Sequence, residues 1–244
     1  MFKLMKKTAL PDSIHIPDLD IDVRVRQNPR AKRYILRQDR KGGGFVVTCP
    51  KYARLATAEK FLFDHTGWMQ KHMYSAPDLK KFEDGDRFHL YGTKVKIQNN
   101  PDKLRGIPYV TESNIFVVHG MPEHVHRKTC DFLKKDFRDK IADLAHAKAA
   151  RINKKIKRIR IADQSTRWGS CSTSGTLSFS CRLVFAPMYV LDYIAAHEVA
   201  HMRHMDHSAE FWDLCEDLCN GDHMVQAKHW LKTRDDIYMR FLME

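Results

Sequence analysis

The segment Tyr193-Ile194-Ala195-Ala196-His197-Glu198-Val199-Ala200-His201 is apolar enough to be buried, yet it carries two imidazoles and a carboxylate. Polar groups in an apolar setting need partners, so the fold must supply them at this place. Written as a helix, with Pro187 admissible in its first turn, the segment puts Tyr189, Val190, Tyr193, Ile194, His197 and His201 near one side. His197 and His201 then stand one turn apart on the inward face, with Glu198 beside them. Two imidazoles at this spacing can hold a zinc ion while the carboxylate acts as a base toward water at the metal. His207, six residues past His201, is spaced to leave the helix and fold back as a third ligand, which leaves one position open. His204 is the rival third ligand. Only three residues past His201, it stays on the helix side and reads as a helix-end residue, a donor supporting the ligands or a substrate contact.

The 244 residues are 43% apolar, enough for a real core in one large domain or two small, intimately packed ones. The six cysteines are scattered, and with no secretory segment at the amino end they read as reduced thiols of a cytoplasmic protein. Cys215 and Cys219, four apart, are expected as a helix-buried thiol pair. No run approaches the roughly 18 apolar residues of a membrane span, so a membrane protein is excluded as the expected class. The formal net charge is +12, with seven basic residues between Lys148 and Arg160. That segment is expected to be a solvated helix end and the outer face of the next strand. Its charge predicts weak, salt-sensitive association with polyanions.

Along the chain, residues 1–20 read as a flexible arm, 21–121 as a sheet-rich region and 122–244 as the region of the histidine helix, the whole forming one compact unit. In the sheet-rich region, Ile21-Val23-Val25, Tyr34 to Arg37 and Phe45 to Cys49 predict strands, the last two joined by a turn at Gly42-Gly43-Gly44. A helix capped by Thr57 and running to Met73 covers that sheet. Phe88 to Gly92 and Lys94 to Ile97 predict a hairpin, and Ile115 to His119 another strand. A long helix spans Glu123 to about Lys155. Ile156 to Ile161 and Leu177 to Phe185 predict two strands joined as a long hairpin through Gln164 to Gly175, the second being a candidate edge for an extended substrate. Helices after Ser208 and from about Met224 to Leu242, including Ile237 and Tyr238, complete the cover.

Arg167-Trp168-Gly169-Ser170-Cys171, Arg182-Leu183, Ala186-Pro187, the helix with His197, Glu198 and His201, and then His204, His207, Ser208, Phe211 and Trp212 together resemble the YgjP-like metallopeptidases, relatives of the SprT and Wss-type zinc proteases. Arg33, Gly43, Gly44, Pro50 and Trp68 extend the resemblance toward the amino end. It implies an α+β fold, a zincin-like metallopeptidase domain with an amino-terminal sheet-rich region packed against it. It also implies one zinc per chain on His197, His201 and His207, catalysis by Glu198 and a peptide or protein substrate. Where metzincins have glycine midway between the second and third histidines, this chain has His204. Arg167, Trp168, Arg182, Tyr189 and Tyr193 are expected as substrate, oxyanion or supporting groups, with core packing as the duller role for each. The competing expectation is a non-catalytic, zinc-stabilised protein that binds nucleic acid or ribosomes, with Cys171 or Cys181 as a fourth ligand.

Overall fold

The computed structural model describes residues 10–39, 44–73, 79–164, 167–233 and 241–243. The chain divides into two units, Met1–Asp78 and Leu79–Glu244. Six α-helices and three small sheets form among the described residues, the mixed α and β architecture expected from the sequence. No helix among them is long and apolar enough to cross a membrane.

In the first unit, β1 (Ser13–Ile16), β2 (Ile21–Gln27), β3 (Ile35–Gln38) and β4 (Phe45–Cys49) form a sheet of order β1-β2-β4-β3. Residues 1–9 lie outside the described residues, but within the stretch read as an arm Ser13–Ile16 pairs with β2 and buries Ile14 and Ile16. β4 runs parallel to β2 and antiparallel to β3. Alternation turns Val23, Phe45, Val47 and Cys49 inward against Ala58, Leu62 and Met69 of α1 (Leu55–Phe63) and α2 (Thr66–Met73). The helix expected as one piece is two. It begins at Leu55, before Thr57, and breaks at Asp64-His65, where the Thr66 hydroxyl donates to the Phe63 carbonyl.

In the second unit, β5 (Arg87–Leu90), β6 (Thr93–Asn100), β7 (Tyr109–Val110) and β8 (Ile115–His119) form a sheet of order β5-β6-β8-β7. The hairpin expected between β5 and β6 forms, turned by Tyr91 and Gly92 at φ 50° and 86°. Next comes α3 (Val125–Arg151), whose stripe of Cys130, Leu133, Phe137, Ile141, Ala145 and Ala149 is buried.

A three-stranded sheet of β9 (Arg158–Ala162), β10 (Gly169–Cys171) and β11 (Thr176–Ser180) follows, and here the expected hairpin is corrected. β9 and β11 are parallel. The antiparallel partner of β11 is β10, joined to it through a turn in which Ser172 donates its amide to Thr176 and Gly175 adopts φ 77°. The chain thus leaves β9 at one edge of the sheet and enters β10 at the other. The strand expected to run to Phe185 stops at Ser180, and Cys181–Phe185 is a fully buried 3-10 turn.

Then α4 (Met188–Ala200) is inserted among its neighbours, with Val190, Leu191, Ala195, Ala196, Val199 and Ala200 inaccessible to solvent. It is covered by α5 (Ala209–Leu218) and α6 (His223–Thr233). Ile237 and Tyr238 lie outside the described residues, while Phe241 stacks on Phe82 with centroids 4.2 Å apart.

Candidate active site

Burial of α4 on most of its circumference fixes the directions in which its polar residues point. The carboxylate of Asp192, 2% exposed, meets Lys148 of α3 in an ion pair of 2.5 Å. The Lys148 ammonium also donates to the Leu218 carbonyl at 2.6 Å, and Asp192 accepts from the Asn220 amide and side chain and from His223 Nδ1. One carboxylate therefore ties α4 to α3 and to the chain around the end of α5 and the start of α6. Burial alone would push the Asp192 carboxyl up, but these donors hold it below the ordinary value. Lys148 corrects the sequence reading, in which it belonged to a solvated basic segment.

One turn and a half further on, His197 and His201 point to the same side, and the chain beyond α4 brings His207 back to them. Their ligating nitrogens lie within 4.8 Å of one another, and Nε2 of His197 is 3.3 Å from Nε2 of His207. Two nitrogens held at about 2.1 Å from a tetrahedral zinc stand about 3.4 Å apart, so this pair already has the separation a metal would impose. His201 donates from Nδ1 to the His204 carbonyl at 3.0 Å, which leaves its Nε2 free to ligate. Burial, then His201, His207 and Lys228, hold the His197 imidazole down to about 4, and burial also lowers His201 against the pull of the His204 carbonyl. Both shifts favour the neutral form that a metal ligand requires. The three imidazoles fit a metal ion.

Ser208 makes the return of His207 possible, because its hydroxyl caps α5 by accepting the Phe211 amide. Phe211, inaccessible to solvent, then lies beneath all three histidines at centroid distances of 5.0, 4.5 and 4.8 Å. Trp212 flanks His197 and His207 and carries the Lys228 ammonium 4.1 Å above its ring. The sequence marks Phe211 and Trp212 as inward helix residues. Their use as floor and wall of the histidine cluster follows from the cap at Ser208.

Glu198 is 4% exposed, and its Oε2 has no hydrogen-bond partner. Burial pushes its carboxyl up to about 8, opposed by Arg167. Against it lies β10, at the point where the strand carries glycine: a Cβ on Gly169 would collide with the Glu198 carboxylate. The Cys171 thiol at the other end of β10 is pushed up to about 11 by burial and then by Glu198. Replacing Gly169 with alanine is expected to displace Glu198 or β10 and to lower peptide hydrolysis by about 100-fold, the effect of a shift near 1 Å at a reacting group. Metal content, measured alongside activity, should stay unchanged, since the atoms nearest that position all belong to Glu198.

The other expected site residues separate. Arg167 is exposed and acts electrostatically on Glu198. Trp168 is half-buried on the core and its carbonyl accepts the Ser180 amide. Tyr193 is buried with its ring 5.9 Å from that of His197, while Tyr189 faces His223 instead. Arg182 is 2% exposed, paired with Asp163 at 2.7 Å and donating to the Phe241 carbonyl. His204 contributes its carbonyl and stands outside the cluster of ligating atoms. Neither Cys171 nor Cys181 joins that cluster either; among the described residues three histidines compose it alone. The strand expected as an edge, now β11, is paired on both sides, and the edge beside Glu198 is β10.

The model of the YgjP-like metallopeptidase domain matches residues 32–234. The chain belongs to the YgjP-like metallopeptidase family. Membership implies a bound metal ion and peptide or protein substrates. Among solved structures, the zymogen of abylysin from Pyrococcus abyssi aligns at 18% identity over 42% of this chain and 99% of its own, with a TM-score of 0.34. That of jannalysin from Methanocaldococcus jannaschii aligns at 20% identity over 38% and 95%, with the same TM-score. Comparison with curated proteins gives no match.

Proposed function

We propose that this YgjP-like metallopeptidase holds one zinc ion per chain on His197, His201 and His207 and cleaves peptide bonds with Glu198 as general base. The observation that carries this reading is the convergence of three imidazoles, with no fourth ligating side chain among the described residues, beside a buried carboxylate that has an unpartnered oxygen. A closed structural site would need a fourth protein ligand. Zinc bound there supplies Lewis-acid polarisation of a carbonyl and lowers the pKa of water.

Glu198 takes the proton of the attacking water and returns it to the leaving amine. Its raised carboxyl makes it a stronger base than an exposed glutamate, and Arg167 opposes the rise, favouring the ionised form. Phe211 and Trp212 exclude water from the far side of the histidines. An extended peptide adds to the free edge of β10, so that its carbonyl lies next to Glu198. Arg167, at the mouth of this edge, meets the substrate's oxygen atoms, and Tyr193 fixes the ring of His197.

Metal analysis of protein purified without a histidine tag or chelator is expected to give close to one equivalent of zinc. Well under half an equivalent, or full zinc affinity in H207A, would sink the assignment. Profiling against a denatured-proteome peptide library, parent against E198Q, identifies the sequences cleaved.

The exposed Lys154, Lys155, Lys157 and Arg158 also support weak polyanion association. Changing all four to glutamine should weaken polyanion binding modestly at low salt and leave zinc content unchanged, as read by fluorescence anisotropy and metal analysis.

A further inference from the structure

The first unit carries a second surface, which shares no residue with the histidine cluster. Among the described residues of this unit, α1 and α2 pack on one face of the sheet. On the other face, register places Arg26, Thr48 and Ile35 in one rung and Arg24, Val46 and Arg37 in the next. The connection from β2 to β3 brings Arg30, Lys32 and Arg33 to the same place. Arg26, Thr48, Ile35 and Arg37 line, with Asn28 and the Arg30 to Arg33 connection, a cavity of 580 Å³; of its nine described lining residues five are cationic and none is acidic. The five cations are exposed. Arg24, just outside, is answered by Asp39 at 2.8 Å, so the fold pairs the arginine at the margin, while the described residues lining the groove include no carboxylate.

Five like charges gathered in one concavity repel one another, and folding tolerates them where an anion is to be met. The composition narrows the anion. Four of the five are arginines, whose planar forks match phosphate oxygens two at a time. Asn28 and Thr48 add neutral donors of the kind that position a phosphodiester backbone. The cavity is much larger than one phosphate, which suits a polymer. At the same end of the sheet, three residues past β4, Tyr52 is 70% exposed with the Lys51 ammonium 5.4 Å from its ring, a platform on which a base can stack.

We infer that this groove binds a single strand of nucleic acid through its phosphodiester backbone. The strand lies across Arg26, Thr48 and Arg37 under the Arg30 to Arg33 connection. Sequence preference is weak, because backbone contacts carry no base information.

The test uses the full-length, zinc-loaded protein and fluorescein-labelled oligothymidylate and oligouridylate, titrated by anisotropy over a series of salt concentrations. R26Q/R30Q/R37Q is expected to lose affinity about tenfold or more, with the log–log salt slope shallower by about 2, the value for three single-strand contacts at about 0.7 each. T48E, which puts a carboxylate on the floor without removing a cation, should bind weakly as well. The quadruple glutamine variant at Lys154, Lys155, Lys157 and Arg158 should keep most of the affinity, and zinc content should be unchanged throughout. The inference is overturned if the groove variants bind like the parent, or if the quadruple variant loses as much as the triple one, which would reduce the effect to net charge. It is equally overturned if polyglutamate of matched charge displaces the oligonucleotide as well as unlabelled oligonucleotide does, which would make the partner an acidic protein.

Discussion

Glu198→Gln is expected to reduce peptide hydrolysis by about 10²- to 10⁴-fold while zinc stays bound, the range over which a positioned general base contributes. The amide keeps the volume of the side chain, so the fit against Gly169 and the packing of α4 persist. What disappears is the only buried carboxylate beside the histidine cluster among the described residues, and with it the proposed acceptor for the water's proton. The loss should fall on kcat more than on KM, as the proposed roles require, with Glu198 acting on the reacting atoms and the peptide held along β10. Equal turnover in E198Q and the parent, measured on a cleaved library peptide with zinc content checked in both, would remove Glu198 from the reaction. A loss of zinc in the same variant would instead make the carboxylate part of the metal's support.

The histidine cluster was legible because its determinants are local. His197, Glu198 and His201 are fixed by helical spacing, and the return of His207 is fixed by a cap at Ser208 that is written next to it. The hairpin misreading has a different cause. Alternation in Arg158–Ala162 and Thr176–Ser180 shows that both are strands facing a core, and it is the same whether they pair parallel or antiparallel. The strand that decides the topology, Gly169-Ser170-Cys171, is three residues of low strand propensity and gives almost no local signal. Its glycine is set by the approach of Glu198, 29 positions on in the chain, which no window around Gly169 contains. The arginine groove escaped for a related reason: Arg26, Arg30 and Arg37 are scattered in sequence and become one surface only through the register of β2, β3 and β4.

Lys148 belongs to the same class of long-range fact, and its replacement is expected to have the largest effect on stability. In sequence it opens a basic run, yet it is 4% exposed and paired with Asp192, 44 residues away. Removing one partner of a buried pair leaves the other charge uncompensated, at a cost of about 3–5 kcal/mol. Lys148→Met should therefore lower Tm by about 6–20 °C for a chain of this size, and weaken zinc retention because α4 is less firmly held. Asp192→Asn should cost at least as much, since it also disturbs the donors from Asn220 and His223. Replacing both partners with apolar residues, K148M together with D192L, should recover part of the loss.

The pH dependence has a definite sign. The native Asp192 carboxyl lies below its ordinary value, so the unfolded chain takes up this proton first as pH falls. Its contribution is complete above about pH 5 and is lost on further acidification through the low native value. The Tm difference between D192N and the parent should accordingly persist through neutral pH and shrink toward zero only in acid. A difference that instead vanished above neutrality, or a K148M protein as stable as the parent, would show that the pair does not anchor α4.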